Sequence, residues 1–391
     1  MRVAKPKEGE PIRLVETRTG WRYRLVLDVG EREDGRRRQH TETLDTLTAA
    51  RERVSEIRAD VKRGTYNAPD RTTFEALCAR WLESRRDVRE ITLNGYRTVL
   101  KPVRARMGSR KAQGLGRSDV EALVTWLATE AGRTGKGVSH RTIVFTLGAV
   151  RQVLAYGVSE GLLSVNVADG VRAPRKTRAD VRTVTVWEPS DLLRFRATAD
   201  TDDWAAGWRL TLSGLRRSEV LGLRWTAVDL TEGAVTVEAG RVALDGKRTT
   251  TDDPKSAASW RTVPVESMHT GTVALLKSLK ARQAADRLAS GSAYEESGYV
   301  LVDAMGRPVR PEAFSDRFAD LCAEADVPAT RLHDVRHTVA TLLHRSGVAP
   351  ADAAGLLGHT VAVHLSTYVT STERGAQTAA TALGEALAAV R

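Results

Sequence analysis

The chain has 391 residues, 41% of them hydrophobic, and a formal net charge of +11. This composition excludes a disordered chain, and at about 100–200 residues per domain the length predicts two or three domains. Cys78 and Cys322 are too few for a disulfide framework, and we interpret both as buried small hydrophobic residues. The N-terminus is charged and lacks the apolar stretch of a secretory signal. We also expect no apolar run of the roughly 20 residues that a membrane helix needs, so we predict a cytoplasmic protein without a membrane partner.

The positive charge is concentrated in the middle of the chain. Residues 71–180 carry 20 Lys and Arg against 10 Asp and Glu, whereas residues 1–70 carry 16 against 13 and residues 181–391 carry 24 against 26. A generally basic proteome would spread the surplus evenly. Its concentration in one segment instead predicts that this segment contacts the phosphates of an acidic polymer.

The first segment, residues 1–65, is predicted to be a small sheet with one helix across it. Alternating patterns at 21–29 and 36–44 flank a charged, Gly-containing stretch, which is typical of a β-hairpin, and a third strand is expected near 12–16. A helix then follows Thr48 and ends at Gly64. Residues 66–69 have the character of an exit linker. The candidate DNA-contacting residues of this segment are Arg22, Arg24, Arg36 and Arg38.

Residues 72–171 are predicted to form a packet of four helices. Thr73 caps the first, and the others are expected at 91–106, 118–131 and 139–160. A basic cluster falls in and after the second helix, and its members are Lys101, Arg104, Arg106, Arg110 and Lys111. A solvated helix face is the simple interpretation of such a cluster, but the surplus charge of the whole segment favours DNA contact. Further candidates for DNA contact are Arg97, His140 and Arg141. Residues 172–182 are polar and basic, as in an interdomain linker.

Residues 183–391 show a mixed α and β pattern. Helices are expected at 188–198, 203–212, 216–224, 267–288, 311–325, 334–346, 350–356 and 375–390. Strands are expected at 234–238 and 261–265, flanking a long polar turn that contains Lys255. The fold class predicted for the whole chain is therefore a mainly α multidomain protein with a small β-rich start.

Three stretches of this last segment carry chemistry: SGLRRSEVLGLRW at 213–225, RLHDVRHTVATLLHRSG at 331–347, and LLGHTVAVHLSTYV at 356–369. Together they resemble the boxes of the tyrosine recombinase (phage integrase) family: [TS]G-x-R-x-x-E, H-x-x-R, L-G-H, and a Tyr nine residues after that His. Each box is weak alone, but the ordered set is specific. The resemblance covers nearly the whole chain. It implies an arm-type DNA-binding domain at 1–65, a helical core-binding domain at 72–171 and a catalytic domain at 183–391.

The resemblance implies a set of catalytic residues. They are Arg216, Lys255, His333, Arg336, His359 and Tyr368, the last as the nucleophile. Lys255 is preferred over Lys247 because it directly precedes the strand at 261–265. The chain departs from the family pattern at Ser213, where Thr is common, in the lack of a proline at 164–170, and at Val369, where His is frequent. None of these departures touches a catalytic group.

The chemistry of phosphodiester cleavage suits these residue types. Two guanidiniums can bind the non-bridging oxygens, on which charge builds in the transition state, and each such donor typically contributes about 3–4 kcal/mol. A tyrosine hydroxyl, with a pKa of about 10, becomes a nucleophile once it is deprotonated, and a lysine can protonate the leaving sugar oxygen. Because the phosphotyrosine product conserves the energy of the broken bond, we predict no metal, cofactor or ATP requirement.

The function that this resemblance implies is site-specific recombination, with integration of a phage or other mobile element into a bacterial chromosome. Expected partners are double-stranded DNA at core and arm sites and a homotetramer on DNA, and a host DNA-bending factor and an excisionase are further candidates. Three alternatives stay open: a chromosome or plasmid resolvase of the same family, a non-catalytic DNA-binding protein that kept the fold, and a type IB topoisomerase-like activity. Glu219 and Asp334 are interpreted as structural, and His337, His344 and His364 as surface or satisfied core residues.

Overall fold

The computed structural model describes residues 4–31, 37–64, 66–177, 184–244, 248–252 and 260–368, with short stretches between 380 and 388. The chain forms two units, residues 1–181 and 182–391. Helices predominate and the sheets are small, which confirms the predicted mainly α multidomain class.

The first unit begins with a three-stranded antiparallel sheet in chain order, β1 (Ile12–Thr17), β2 (Gly20–Glu31) and β3 (Arg37–Leu44). Helix α1 (Leu47–Arg63) lies against it, so the predicted strands and helix are confirmed. The helix starts slightly earlier than predicted, because the hydroxyl of Thr46 accepts the N-cap hydrogen bond from the backbone of Ala49 at 3.2 Å. The small core between sheet and helix consists of Ile12, Tyr23, Leu25, Leu27, Ala50, Val54 and Ile57.

The four predicted helices follow as α2 (Phe74–Ser84), α3 (Glu90–Met107), α4 (Arg117–Thr129) and α5 (His140–Ser159). Each lies within two residues of its predicted position, because apolar residues at helical spacing give every helix one buried face. By length and composition α5 could cross a membrane, contrary to our expectation for the chain. Its apolar side chains are nevertheless part of the core of this packet, among them Ile143, Leu147, Val150 and Leu154.

The residues after α1, predicted to be a linker, are hydrogen-bonded at both ends within the first unit. The Tyr66 hydroxyl lies 2.8 Å from Nδ1 of the buried His40 on the sheet. On the helical side, the Gln113 amide accepts from the backbone of Asp70 at 2.9 Å and donates to the carbonyl of Ala68 at 2.8 Å. The segment is therefore anchored to both parts that it connects.

The second unit opens with α6 (Pro189–Ala199), α7 (Ala205–Leu212) and α8 (Arg217–Gly222). One sheet joins β4 (Val228–Asp229), β5 (Ala234–Val237) and β8 (Arg261–Val263), and a separate hairpin pairs β6 (Gly240–Ala243) with β7 (Thr249–Asp252). The prediction of one long polar turn between two strands was therefore wrong. The Thr-rich run 249–252 pairs as a strand despite its polarity, since Thr is β-branched.

Six helices complete the described part of this unit. They are α9 (Val265–Met268), α10 (Thr272–Ser290), α11 (Pro311–Glu324), α12 (Leu332–Arg345), α13 (Pro350–Leu357) and α14 (Val361–Tyr368). The single helix predicted at 267–288 is divided, because the Glu266 carboxylate accepts the backbone N–H groups of Gly271 and Val273 and starts a new helix there. Helix α14 was not predicted separately, and most of the helix predicted at 375–390 lies outside the described residues.

The core of the second unit is built around aromatic rings. Trp208 stacks on Phe314 with centroids 4.1 Å apart, and Trp187 and Phe195 pack nearby. The two cysteines are buried in their respective units, as predicted, and burial raises the pKa of each thiol to about 12.

Candidate active site

The first box positions a backbone carbonyl as well as an arginine. Gly214 follows α7 with φ +83°, a conformation that L side chains rarely adopt, and a Cβ there would lie 2.5 Å from Leu357 Cδ2. Its carbonyl accepts a hydrogen bond from Arg336 Nη1 at 2.8 Å. Glycine at this position therefore allows the first box to contact both the central box and the L-G-H box.

Arg216 is held by the glutamate three residues later. Its backbone N–H donates to Glu219 Oε2 at 2.8 Å, which caps the start of α8, and its guanidinium Nη1 donates to Glu219 Oε1 at 2.5 Å. Nη2 donates to the Gly358 carbonyl at 2.7 Å. The side chain is still 31% exposed, so the guanidinium is fixed in orientation and accessible to a ligand.

Arg336 is almost fully buried, with 2% of its surface exposed. It projects from α12 and donates to the carbonyls of Gly214 and Leu357, and its Nη2 lies 3.1 Å from His359 Nδ1. Because a buried guanidinium is stable only when its donors are bonded, these contacts fix the group rigidly. The central box and the L-G-H box are thereby joined.

A third arginine, Arg261 on β8, completes this arrangement. It is 6% exposed, its Nη2 binds Glu219 Oε2 at 2.8 Å, and its Nε donates to the Leu356 carbonyl at 2.8 Å. The last carbonyls of α13 are thus each bound by a different arginine: Leu356 by Arg261, Leu357 by Arg336, and Gly358 by Arg216. The negative end of a helix favours such cations. Helix α13 therefore gathers three guanidiniums just before His359.

The Glu219 carboxylate binds the guanidiniums of both Arg216 and Arg261. Burial alone would raise its pKa, but the hydrogen bonds and charge of Arg261 and then of Arg216 outweigh burial and lower the pKa. The carboxylate is therefore ionised. Its negative charge is shared between Arg261 and Arg216.

His359 is neutral at pH 7. Burial first, and then the charges of Arg336, His364 and Arg216, lower its pKa to about 4. Arg336 is a donor only, so Nδ1 of His359 accepts and Nε2 carries the proton. Nε2 lies 3.1 Å from Nδ1 of His364, whose ring is buried and stacked on His359 at 5.3 Å. His364 was interpreted as a surface or satisfied core residue; it is buried, and its place beside the site was not foreseen.

His333 lies one turn before Arg336 on α12, and its side chain is exposed. Its ring meets the ring of His337 edge-on at 5.1 Å. Protein atoms that displace water from around part of the ring lower its pKa, and the positive charges of neighbours including Arg336 and Arg216 lower it further. At neutral pH the ring is uncharged, so it can accept a proton.

Tyr368 is the last residue of α14, and this helix packs on α12 and α13. The structure thus brings Arg216, Arg336 and His359 together through hydrogen bonds and places the helix of Tyr368 beside them. Lys255 and its competitor Lys247 lie outside the described residues. Within the part of the chain that the structure describes, no group of three or more His, Cys, Asp or Glu side chains is placed to bind a metal ion.

The candidate DNA-contacting residues of the first unit differ in their pairing. Arg24, Arg38, Lys101 and Arg141 are exposed, and Arg36 lies outside the described residues. Others have partners within the protein: Arg22 pairs with Asp45 at 2.5 Å, Arg97 with Glu90 at 2.8 Å, Arg104 with Glu75, and His140 Nε2 lies 3.0 Å from the Pro174 carbonyl. In the basic cluster Arg110 also pairs with Asp119, so part of its charge is locally compensated.

Sequence reasoning missed Arg261. The available signal was its position at the start of the strand predicted next to Lys255, but a single arginine at a strand end is common and carries no specific meaning. Glu219 was interpreted as structural, in support of an arginine. Its hydrogen bonds to Arg216 agree with that interpretation.

Comparison with known proteins adds to this geometry. Residues 191–374 match the model of the phage integrase family, and this range includes the three boxes and Tyr368. Residues 191–374 therefore form a phage integrase family domain. The resemblance that the sequence motifs indicated is therefore confirmed.

Among curated relatives, the chain is 28% identical over 239 residues to a tyrosine recombinase XerC-like protein of Caldanaerobacter subterraneus subsp. tengcongensis, covering 57% of this chain and 60% of that protein. The chain spans between 49% and 60% of the length of this relative and of two further ones.

Two sets of solved structures share the fold. The Tn1549 transposon integrase in complex with a circular intermediate DNA has a TM-score of 0.62 at 18% identity, over 80% of this chain and 99% of that one. A lambda integrase tetramer bound to a Holliday junction has a TM-score of 0.57 at 13% identity, over 94% and 99%.

Proposed function

We propose that the protein is a site-specific DNA recombinase that cuts and rejoins DNA through a 3′-phosphotyrosine intermediate. The observation that carries this proposal is the convergence of Arg216, Arg336 and a neutral His359 on one turn, beside the helix that ends at Tyr368. The names of the relatives, tyrosine recombinase and integrase, agree with it.

The cleavage step follows from the charge of the cluster. The Tyr368 oxygen attacks the scissile phosphorus and forms a P–O bond, and the bond from phosphorus to the 5′ oxygen of the next nucleotide breaks. The non-bridging oxygens carry extra negative charge in the transition state, where Arg216 and Arg336 donate to them. Because both guanidiniums are already fixed by backbone carbonyls, little reorganisation is needed when the phosphate binds.

Two protons move in this step. Uncharged His333 is suited to take the proton of the tyrosine hydroxyl, and Lys255 is the general acid that protonates the leaving 5′ oxygen. His359 accepts from Arg336 at Nδ1 and so helps to hold that guanidinium in place for the phosphate. Rejoining is the reverse reaction with a new 5′ hydroxyl, so the phosphotyrosine bond supplies the energy and neither ATP nor a metal ion is required.

We further propose that the biological reaction is integration of a mobile element into a bacterial chromosome, performed by a homotetramer on DNA in the host cytoplasm. The likeness to a transposon integrase and to a tetrameric lambda integrase on a Holliday junction supports this proposal. The additional sheet and helix at 1–65 favour an integrase with arm sites over a two-domain resolvase. A host DNA-bending factor and an excisionase remain candidate partners.

The test uses a nicked suicide substrate. The short fragment that carries the new 5′ hydroxyl diffuses away after cleavage, so the covalent adduct accumulates. We expect wild-type protein and the control Tyr294→Phe to give a shifted protein–DNA band on a denaturing gel. Tyr368→Phe should bind the same DNA and give no band, because only the attacking oxygen is lost. A shifted band from Tyr368→Phe would assign the nucleophile to another residue, and no band from the wild-type protein would favour the non-catalytic alternative.

Strand exchange between two sites separates a recombinase from the topoisomerase-like alternative. A recombinase joins the ends of two partner duplexes, whereas a topoisomerase-like enzyme relaxes single supercoiled duplexes without exchange. We expect exchange only when both attachment sites are present.

A further inference from the structure

We infer that Arg261 is a positioning residue for the cleavage step, which it serves by sharing the Glu219 carboxylate with Arg216 and by fixing the α13–α14 turn. This inference rests on the proposed function and deepens it. The Arg261 guanidinium donates to the Glu219 carboxylate, which compensates its charge, and to the Leu356 carbonyl, so we assign it no direct contact with a DNA phosphate. Its effect must pass through the groups that it contacts.

The first of these groups is Glu219. Each of its carboxylate oxygens accepts from both arginines: Oε2 from the Arg216 backbone and Arg261 Nη2, and Oε1 from Arg216 Nη1 and Arg261 Nη1, the last at 3.3 Å. Without Arg261, a buried carboxylate would face Arg216 as its remaining guanidinium partner in this set. The carboxylate would then compensate the charge of Arg216 alone, leaving less of that charge for a phosphate.

The second group is the end of α13. Arg261 Nε donates to the Leu356 carbonyl, and the carbonyls of Leu357 and Gly358 are bound by the two arginines that we propose to contact phosphate. A shift of this turn would therefore move Arg216, Arg336 and His359 together. Because misplacement by about 1 Å can slow a reaction about 10²-fold, a residue one step removed from the phosphate can have a large effect on rate.

The glycine of the L-G-H box supports the same interpretation. Gly358 has φ +64°, and a Cβ there would lie 2.5 Å from Arg261 Nη1 and 2.9 Å from Arg261 Cζ. The absence of a side chain at 358 thus lets the Arg261 guanidinium lie directly against the turn. One glycine provides both the helix end and the space for this arginine.

The test compares Arg261→Lys with Arg209→Lys in the full-length protein. Arg209 is a matched control because it is a similarly buried arginine of the same unit, and its guanidinium binds Asp200 at 2.6 Å and the Thr270 carbonyl. Both substitutions keep the charge and lose the guanidinium fork, so both should lower the melting temperature. We measure single-turnover cleavage of the suicide substrate, well below both melting temperatures, and DNA affinity separately.

We expect Arg261→Lys to cleave about 10²-fold more slowly with unchanged Kd. Arg209→Lys should cleave at the wild-type rate. In a double-mutant cycle, Arg261→Lys should cause a smaller further loss in the Arg216→Lys background than in the wild type, because part of its effect passes through Arg216.

Three results would overturn the inference: a wild-type rate for Arg261→Lys, an equal loss in the Arg209→Lys control, or losses from Arg261→Lys and Arg216→Lys that multiply independently. If the wild-type protein itself formed no adduct, the proposed function would fail and this inference with it. If the wild-type protein cleaves and Arg261→Lys cleaves at the same rate, this inference fails and the proposed function stands.

Discussion

The helical packet and the second unit use basic side chains in opposite ways. Residues 71–180 hold the surplus of Lys and Arg, and candidates such as Lys101 and Arg141 are exposed on their surface. Residues 181–391 carry slightly more acidic than basic residues, yet three of their arginines converge on the end of one short helix. We propose that the net charge of the helical packet attracts DNA, whereas the chemistry takes place at the few guanidiniums that are fixed on this turn.

This difference has energetic consequences. An exposed lysine contributes to DNA binding through counterion release, a graded effect that depends on salt and little on exact geometry. A guanidinium held by backbone carbonyls contributes through fixed orientation, and its loss also leaves those carbonyls without their donor. Substitutions in the helical packet should therefore have small effects on salt-dependent DNA binding, whereas substitutions of the fixed guanidiniums should have large effects on the cleavage rate.

The largest effect is expected for Arg336→Ala. Removing this buried group eliminates a proposed phosphate donor and unbinds the carbonyls of Gly214 and Leu357, so we expect cleavage to fall by about 10³-fold. Arg345→Ala, on the last turn of the same helix and 55% exposed, is the control and should cleave normally. Single-turnover rates on the suicide substrate measure both. Equal losses in the two variants would show that disruption of α12, not the buried guanidinium, causes the effect.

The next effect is expected for Gly358→Ala. A non-glycine residue at φ +64° is strained by about 1–3 kcal/mol, and the new Cβ would also collide with Arg261, so both the melting temperature and the cleavage rate should fall. Gly355→Ala is a close control on the same helix, because a Cβ there meets nothing within 4 Å. We expect it to be neutral or slightly stabilising. If the two variants melted alike, the tight fit between the turn and Arg261 would be contradicted.

The sequence predicted different parts of the molecule with different success. Helices α2 to α5 were located closely because each has an apolar face at regular spacing, and β2 and β3 because they alternate. The strands β6 and β7 were missed because they are short and their pairing depends on tertiary contacts rather than on apolar alternation. Helix α10 was joined to α9 because the interruption comes from a side-chain cap by Glu266, which no apolar pattern reveals.

The residues of the candidate site also differ in whether the sequence revealed them. Arg216, Arg336 and His359 were found through motif spacing, and the structure places all three at the turn that follows α13. The spacing of a motif does not reveal which backbone groups hold each side chain. Arg261 could not be found from the sequence, because it reaches the site by packing against segments far away in the chain. His364 could not be found either, because the turn after α13 is what brings it to His359.

The smallest effect is expected for Lys101→Ala on the exposed face of α3. If this residue neutralises one phosphate, the slope of log Kd against log salt should decrease by about 1, while cleavage at saturating protein stays normal. Lys277→Ala, an exposed substitution on α10 of the second unit, should leave the slope unchanged. The comparison between regions would be weakened if both variants changed the slope equally.

The most direct test of the central claim is cleavage of the suicide substrate in EDTA without ATP, followed by peptide mapping of the covalent adduct. If guanidiniums fixed on the α13 turn supply the positive charge for attack by Tyr368, the adduct should form at the same rate in EDTA as in magnesium, and the DNA should be attached to the peptide that contains Tyr368. Cleavage that stopped in EDTA and recovered with magnesium, or an adduct on another residue, would contradict the account.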